Sequence, residues 1–218
     1  MKLEELYRIG KARQFEMKAK WPISWKGMSS DLKHAADRLY DLHQEAHQRI
    51  IERILEELKE RKRGKKSEAS RRVLEGKELE DHLDARLFIP YFLLIGYAIE
   101  NLLKANLMVQ HPEYFKPNAK MVDIRSHNLV SLCKRCNISI DTEETNLLEK
   151  LTRYIQWEGK YPIPLEADKS LPRKRDDGTW ERQFEDGFKI PKQSIDSLYA
   201  KLWNELECQY KTAANDKI

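Results

Sequence analysis

The stretch from Phe88 to Val109 constrains this chain more than any other part of it. It is the most apolar run in a sequence that is 35% charged, and its first 12 residues, Phe88 to Ile99, carry no charge. A surface helix shows a polar face within two turns, so a run without one predicts a helix enclosed by other helices. A bilayer span needs about 20 apolar residues. Glu100, Asn101, Lys104 and Asn106 interrupt this run too early, so a central core helix is the reading. Its second half raises the question of function. Tyr97, Glu100, Asn101 and Lys104 recur at helical spacing on one face. A polar stripe on a buried helix either lines a cleft or is satisfied inside the fold.

The rest of the chain can supply the enclosing helices. With only 8 Gly and 8 Pro in 218 residues, and abundant Leu, Glu, Lys and Ile, the composition predicts an all-α fold with one core. A short helix is expected from Leu3 to Lys18, then a loop around Trp21 and Trp25. A long helix follows from Asp31 to Arg63, capped by Ser29 or Ser30. Leu32, Ala36, Leu39, His43, Ala46, Ile50 and Ile54 fall on one stripe of it. Leu55 and Leu58 widen that stripe, as suits a bundle or a dimer seam. After the central helix and a loop from His111 to Asp123, one helix begins at a Ser126 cap. The next is capped by Asp141 or Thr142 and ends at Gly159. The polar segment from Leu165 to Lys189 carries a hairpin signal at Arg173 to Gly178, with Thr179 and Trp180 as a possible ribbon. A final helix starts at Pro191 with Ile195, Leu198, Leu202, Leu206 and Tyr210 on its inner face. The expected divisions are 1–28, a helical bundle at 29–164, and a loop plus helix at 165–218.

Net charge is +4 with both signs mixed, which admits nucleic acid without pointing to it. The exception is Lys59 to Lys77, where nine basic residues face three acidic ones. The plain reading is a solvated connection between helices. The sharper one is a phosphate-contacting patch of Arg61, Lys62, Arg63, Lys65, Lys66, Arg71 and Arg72, whose nucleic-acid affinity would fall with salt. No aromatic residue interleaves these charges, so base stacking is not expected there.

Cys133 and Cys136 form a CxxC pair, and His43 and His47 share a helix face. A zinc site needs four ligands from one neighbourhood. Here both pairs fall on apolar faces, so packed thiols and helix-face histidines are expected, with no metal and no cofactor. Three cysteines are too few for a disulfide framework, and the N-terminus lacks the apolar core of a secretory signal. A cytoplasmic protein without a membrane span is the simplest expectation. No phosphate-binding glycine loop, nucleophile elbow or metalloprotease helix occurs.

Two segments carry a family resemblance. Gly96-Tyr-Ala-Ile-Glu-Asn-Leu-Leu-Lys-Ala105, followed by Ser126-His-Asn-Leu-Val-Ser-Leu132, resembles the paired helices of the HEPN superfamily, and Leu151 to Pro162 is similar to the ending of many HEPN-like proteins. These are small all-α bundles of prokaryotic toxin–antitoxin, antiviral and nucleotidyltransferase-associated systems. The resemblance covers about 87–164. Ribonuclease members carry an Arg-x4–6-His motif near the end of the bundle. Here Arg153 is followed by Lys160 and Tyr161 where the histidine would stand. Arg38 and His43 have the spacing, but in the wrong helix and about 140° apart around it.

The resemblance implies one cleft holding Tyr97, Glu100, Asn101, Lys104, His127 and Arg153. Lys104 and Arg153 would hold a phosphate, Glu100 would orient Lys104 or accept a ribose hydroxyl, and His127 would supply a proton. The competing reading is an internal ion-pair network, with Glu100 on Lys104 and His127 at a helix start. The expected function is an RNA- or nucleotide-associated protein of a stress or defence system without the usual ribonuclease motif. The alternatives are a metal-independent ribonuclease using His127 and Arg153, and a non-catalytic interaction module. A homodimer or a stable protein partner is expected in any of these cases.

Overall fold

A computed structural model describes residues 4–7, 9–10, 21–63, 74–112, 126–158, 173–174, 180–181 and 190–215. The fold is an all-α bundle. Its elements are α1 (Pro22–Lys62), α2 (Gly76–Asp84), α3 (Phe88–Gln110), α4 (Leu129–Arg135), α5 (Thr142–Arg153) with a π-helical continuation (Tyr154–Glu158), and α6 (Lys192–Asn215). A two-residue antiparallel ribbon pairs Arg173 with Glu181 and Lys174 with Trp180, at the position of the hairpin signal.

The apolar run is the hub. Fourteen residues of α3 are buried, from Tyr91 to Met108, and α1, α4, α5 and α6 all pack on it. The segment 76–110 is long and apolar enough to cross a membrane by composition, yet the core-facing apolar side chains of α3, from Tyr91 to Met108, pack on other helices of this bundle. Rings run from α1 across α3 to the end of α5: Tyr40 to Tyr91 at 5.1 Å, Tyr91 to Phe92 at 5.0 Å, and Phe92 to Tyr154 at 4.9 Å between centroids. Gly96 permits this closeness. A Cβ there would meet Ile155 Cγ2 at 2.5 Å, so the helix has no room for a side chain at that point.

The long helix starts earlier than its expected Ser29 or Ser30 cap. Pro22 occupies the first turn, where its missing N–H costs nothing, so the stretch expected as a loop is helical. The expected boundary at 28/29 falls inside this helix. Ser29 is fully buried, and its hydroxyl donates to the Ala98 carbonyl (2.7 Å) and meets the Tyr199 hydroxyl (3.0 Å). Packing against α3 and α6 thus takes the hydroxyl that a sequence reading assigns to a cap. Helix α2 was not foreseen. It is short and lies in a charged context, and it is held by Asp81, which accepts from Arg49 Nε (2.7 Å) and Arg53 Nη1 (2.8 Å) of α1.

Two caps position the next elements. Asn128, two residues beyond the expected Ser126, accepts from Ser131 N and starts α4. Asp141 starts α5 with a reciprocal capping box to Glu144, and the Glu144 carboxylate also takes Lys201 of α6 at 2.6 Å. Helix α4 ends with Asn137 at φ 54°, where Ile138 N donates to Cys133 O and Asn137 N to Lys134 O. This is the Schellman arrangement. Helix α6 buries Ile195, Leu198, Leu202 and Leu206, as its spacing predicts. Of the earliest expected helix, 4–7 and 9–10 are helical, and the rest lies outside the described residues, as does Gly159.

Candidate functional site

The polar stripe of α3 divides into residues turned inward and residues bonded along the helix. Glu100 and Lys104 are buried, 5% and 6% exposed, and Lys104 Nζ donates to Glu100 Oε1 at 2.5 Å. One helical turn separates them, so this pair forms from local spacing alone. Lys104 also sits 5.7 Å from the Trp25 ring of α1. Asn101 Nδ2 donates to the Tyr97 carbonyl of its own helix at 2.8 Å. Both Tyr97 and Asn101 are half-buried.

The second oxygen of Glu100 reaches out of the helix. His127 Nδ1 lies 2.9 Å from Glu100 Oε2. A carboxylate only accepts, so His127 donates its Nδ1–H to Glu100. The His127 side chain is 48% exposed, whereas that of Glu100 is 7% exposed. The result is a relay from a buried cation through a buried carboxylate to an imidazole at the surface. A carboxylate behind an imidazole fixes its tautomer and orientation.

His127 immediately precedes Asn128, where a groove of about 610 Å³ begins between α4 and α5. Asn128, Val130, Ser131 and Lys134 form one wall, and Glu149, Thr152 and Arg153 form the other. Thr152 holds the walls together, because its hydroxyl donates to Leu148 O (2.7 Å) and accepts from Leu129 N (3.1 Å). The structure therefore brings together Glu100, Lys104 and His127, and sets Arg153 in the adjoining groove. Tyr97 and Asn101 share the helix that carries the relay.

Asn128, Ser131 and Lys134 of one wall and Glu149 and Thr152 of the other were missed as site residues. The signal for the first wall is polar spacing of three, at 128, 131 and 134, which the CxxC pair around Lys134 obscures. Of the basic patch, Arg61, Lys62 and Arg63 are exposed at the end of α1, while Lys65, Lys66, Arg71 and Arg72 lie outside the described residues.

The cysteines and the early histidines sit elsewhere. Cys133 and Cys136 are buried, and Cys136 Sγ donates to Leu103 O at 3.4 Å. Burial pushes both thiols up to about 12, which marks packed groups rather than nucleophiles. His43 is buried against Phe88, and its Nδ1–H donates to Ala85 O at 2.8 Å. Arg38 is exposed on the same helix, so this pair does not converge. A comparison with family models, with curated proteins and with solved structures returns no match to this chain.

Proposed function

We propose that the groove between α4 and α5 binds the phosphate of an RNA strand or a nucleotide, with His127 at its edge as a hydrogen-bonding and proton-carrying group. The observation that carries this reading is the join between two arrangements: a Lys104–Glu100–His127 relay, and a groove with Lys134 and Arg153 on facing walls. Two cations against the one carboxylate of Glu149 leave the groove net positive, which suits an anionic backbone, and the Asn128, Ser131 and Thr152 side chains add hydrogen-bonding groups. The HEPN resemblance points the same way, toward an RNA- or nucleotide-associated protein of a prokaryotic stress or defence system. The departure from the ribonuclease motif at Arg153 favours binding over cleavage.

Fluorescence anisotropy with a single-stranded RNA and with ATP tests the reading. Binding should weaken steeply with salt and drop about tenfold in Arg153→Ala or Lys134→Ala, the worth of one charge-assisted contact. Cleavage of the RNA in EDTA, lost in both His127→Ala and Arg153→Ala, would make the groove a metal-independent ribonuclease site instead. Absence of binding to either ligand would sink the phosphate reading.

A further inference from the structure

The groove between α4 and α5 has two unlike ends. The bond from Leu129 N to Thr152 Oγ1 sets the start of α4 beside the end of α5. The two helices run antiparallel, joined through 136–141, so Arg153 stands at the Asn128 end and Glu149 stands one turn further along the same wall. Glu149 is the one carboxylate of a lining that otherwise holds two cations and neutral groups. It precedes Arg153 by four residues, the spacing at which Glu and Arg pair on a helix. Its side chain nevertheless makes no hydrogen bond or ion pair among the described residues, and the Lys134 side chain of the facing wall makes none either. Opposite charges that line one groove without pairing suit a ligand that engages both, an anion at one point and hydroxyl donors at another.

A carboxylate accepts side by side from vicinal hydroxyls, and it repels a second phosphate. Its place along α5 sets which donors of a nucleotide it reaches. One turn, about 6 Å of helix, separates Glu149 from Arg153. That is close to the span from a 5′-phosphate to the hydroxyls of its own ribose, and well short of the span to the pairing edge of its base. An internal residue of an RNA strand would bring its 3′-phosphate against Glu149 instead.

We propose that the groove takes a ribonucleotide with a free 2′,3′-diol, its phosphate held at the Arg153 end and its diol received by Glu149. This rests on the phosphate reading above and narrows it to one unit, a free nucleotide or the 3′ end of an RNA strand. Calorimetric titration with AMP and with 2′,3′-dideoxy-AMP tests it. AMP should bind about tenfold more tightly, the worth of a hydrogen bond to a charged group, and Glu149→Ala should bring the two affinities together. Glu149 is exposed, so the variant should keep the helical circular dichroism spectrum. Equal affinities in the unaltered protein overturn the proposal and leave the phosphate reading standing. A preference for AMP that persists in Glu149→Ala does the same. A 5′-labelled RNA strand separates the two sources. If the strand end is the ligand, a 3′-hydroxyl end should bind about tenfold better than a 3′-phosphate end, with the order reversed in Glu149→Lys. A strand indifferent to its end, beside a selective AMP, assigns the free nucleotide. The same indifference without AMP binding overturns the diol contact alone. If neither AMP nor the strand binds, the phosphate reading falls and this proposal with it.

Discussion

Glu100 is the residue on which the candidate site depends. It accepts from Lys104 on one oxygen and from His127 on the other, inside the bundle. Removing its charge leaves Lys104 buried beside nothing that balances it. Glu100→Gln should therefore lower unfolding free energy by about 3 kcal/mol in urea titration, within the range for breaking a buried pair. Glu100→Met with Lys104→Leu should recover most of that loss, since an apolar pair has no ion to desolvate. Gly96 is the second critical position. Gly96→Ala gains helix propensity of under about 1 kcal/mol but drives a methyl into Ile155, for a net loss of about 1–2 kcal/mol. Paired with Ile155→Ala, the cost of the glycine change should shrink, and a double-mutant cycle reads it.

At the scale of elements, α2 is held to α1 by Asp81, and α5 is started by Asp141. Burial raises the Asp81 carboxyl, but hydrogen bonds and charge from Arg49 and Arg53 outweigh it and hold the group below its ordinary value of 3.8. Its folded value is the depressed one, so its contribution is present above 3.8 and disappears as pH falls through the folded value. Asp81→Leu should release α2, seen as faster amide exchange across 76–84 while 91–108 stays protected. Asp141→Ala should cost about 1 kcal/mol by thermal or urea unfolding, the usual worth of an N-cap.

For the whole molecule, stability depends on how α1 and α6 grip α3. Ser29 links all three, and a square of alternating charge closes the outer seam: Lys33 on Asp37 (2.6 Å) and Asp196 (2.9 Å), Lys192 on Asp37 (3.0 Å) and Asp196 (2.6 Å). Near neutral pH the group to watch is His43, at the junction of α1, α2 and α3. Burial lowers its pKa below the ordinary 6.5, the bond to Ala85 opposes that shift, and nearby His47 adds to it. The folded value is the lower one, so the unfolded chain takes up the proton first as pH falls. Stability is thus full above 6.5 and declines below it. Urea midpoints measured from pH 8 to pH 5 should fall on the acid side, and His43→Gln should flatten that slope.

The sequence by itself determined the helical class, the central helix and the inner face of α6, and it offered the Glu100–Lys104 pair as one of two readings. Each of these follows from spacing within a few turns, where geometry is local. Tertiary structure decided the rest. Ser29 became a core hydroxyl because Ala98 and Tyr199 arrive from distant segments, so α1 begins at Pro22. His127 joined Glu100 across 27 residues of chain, and Lys134 came to face Arg153 only because Thr152 ties the start of α4 to α5. The stripe on α1 reads identically along its length, but α3 begins at Phe88 and covers only its first part. Periodicity shows which face of a helix is apolar, and only packing decides where along that face the cover ends.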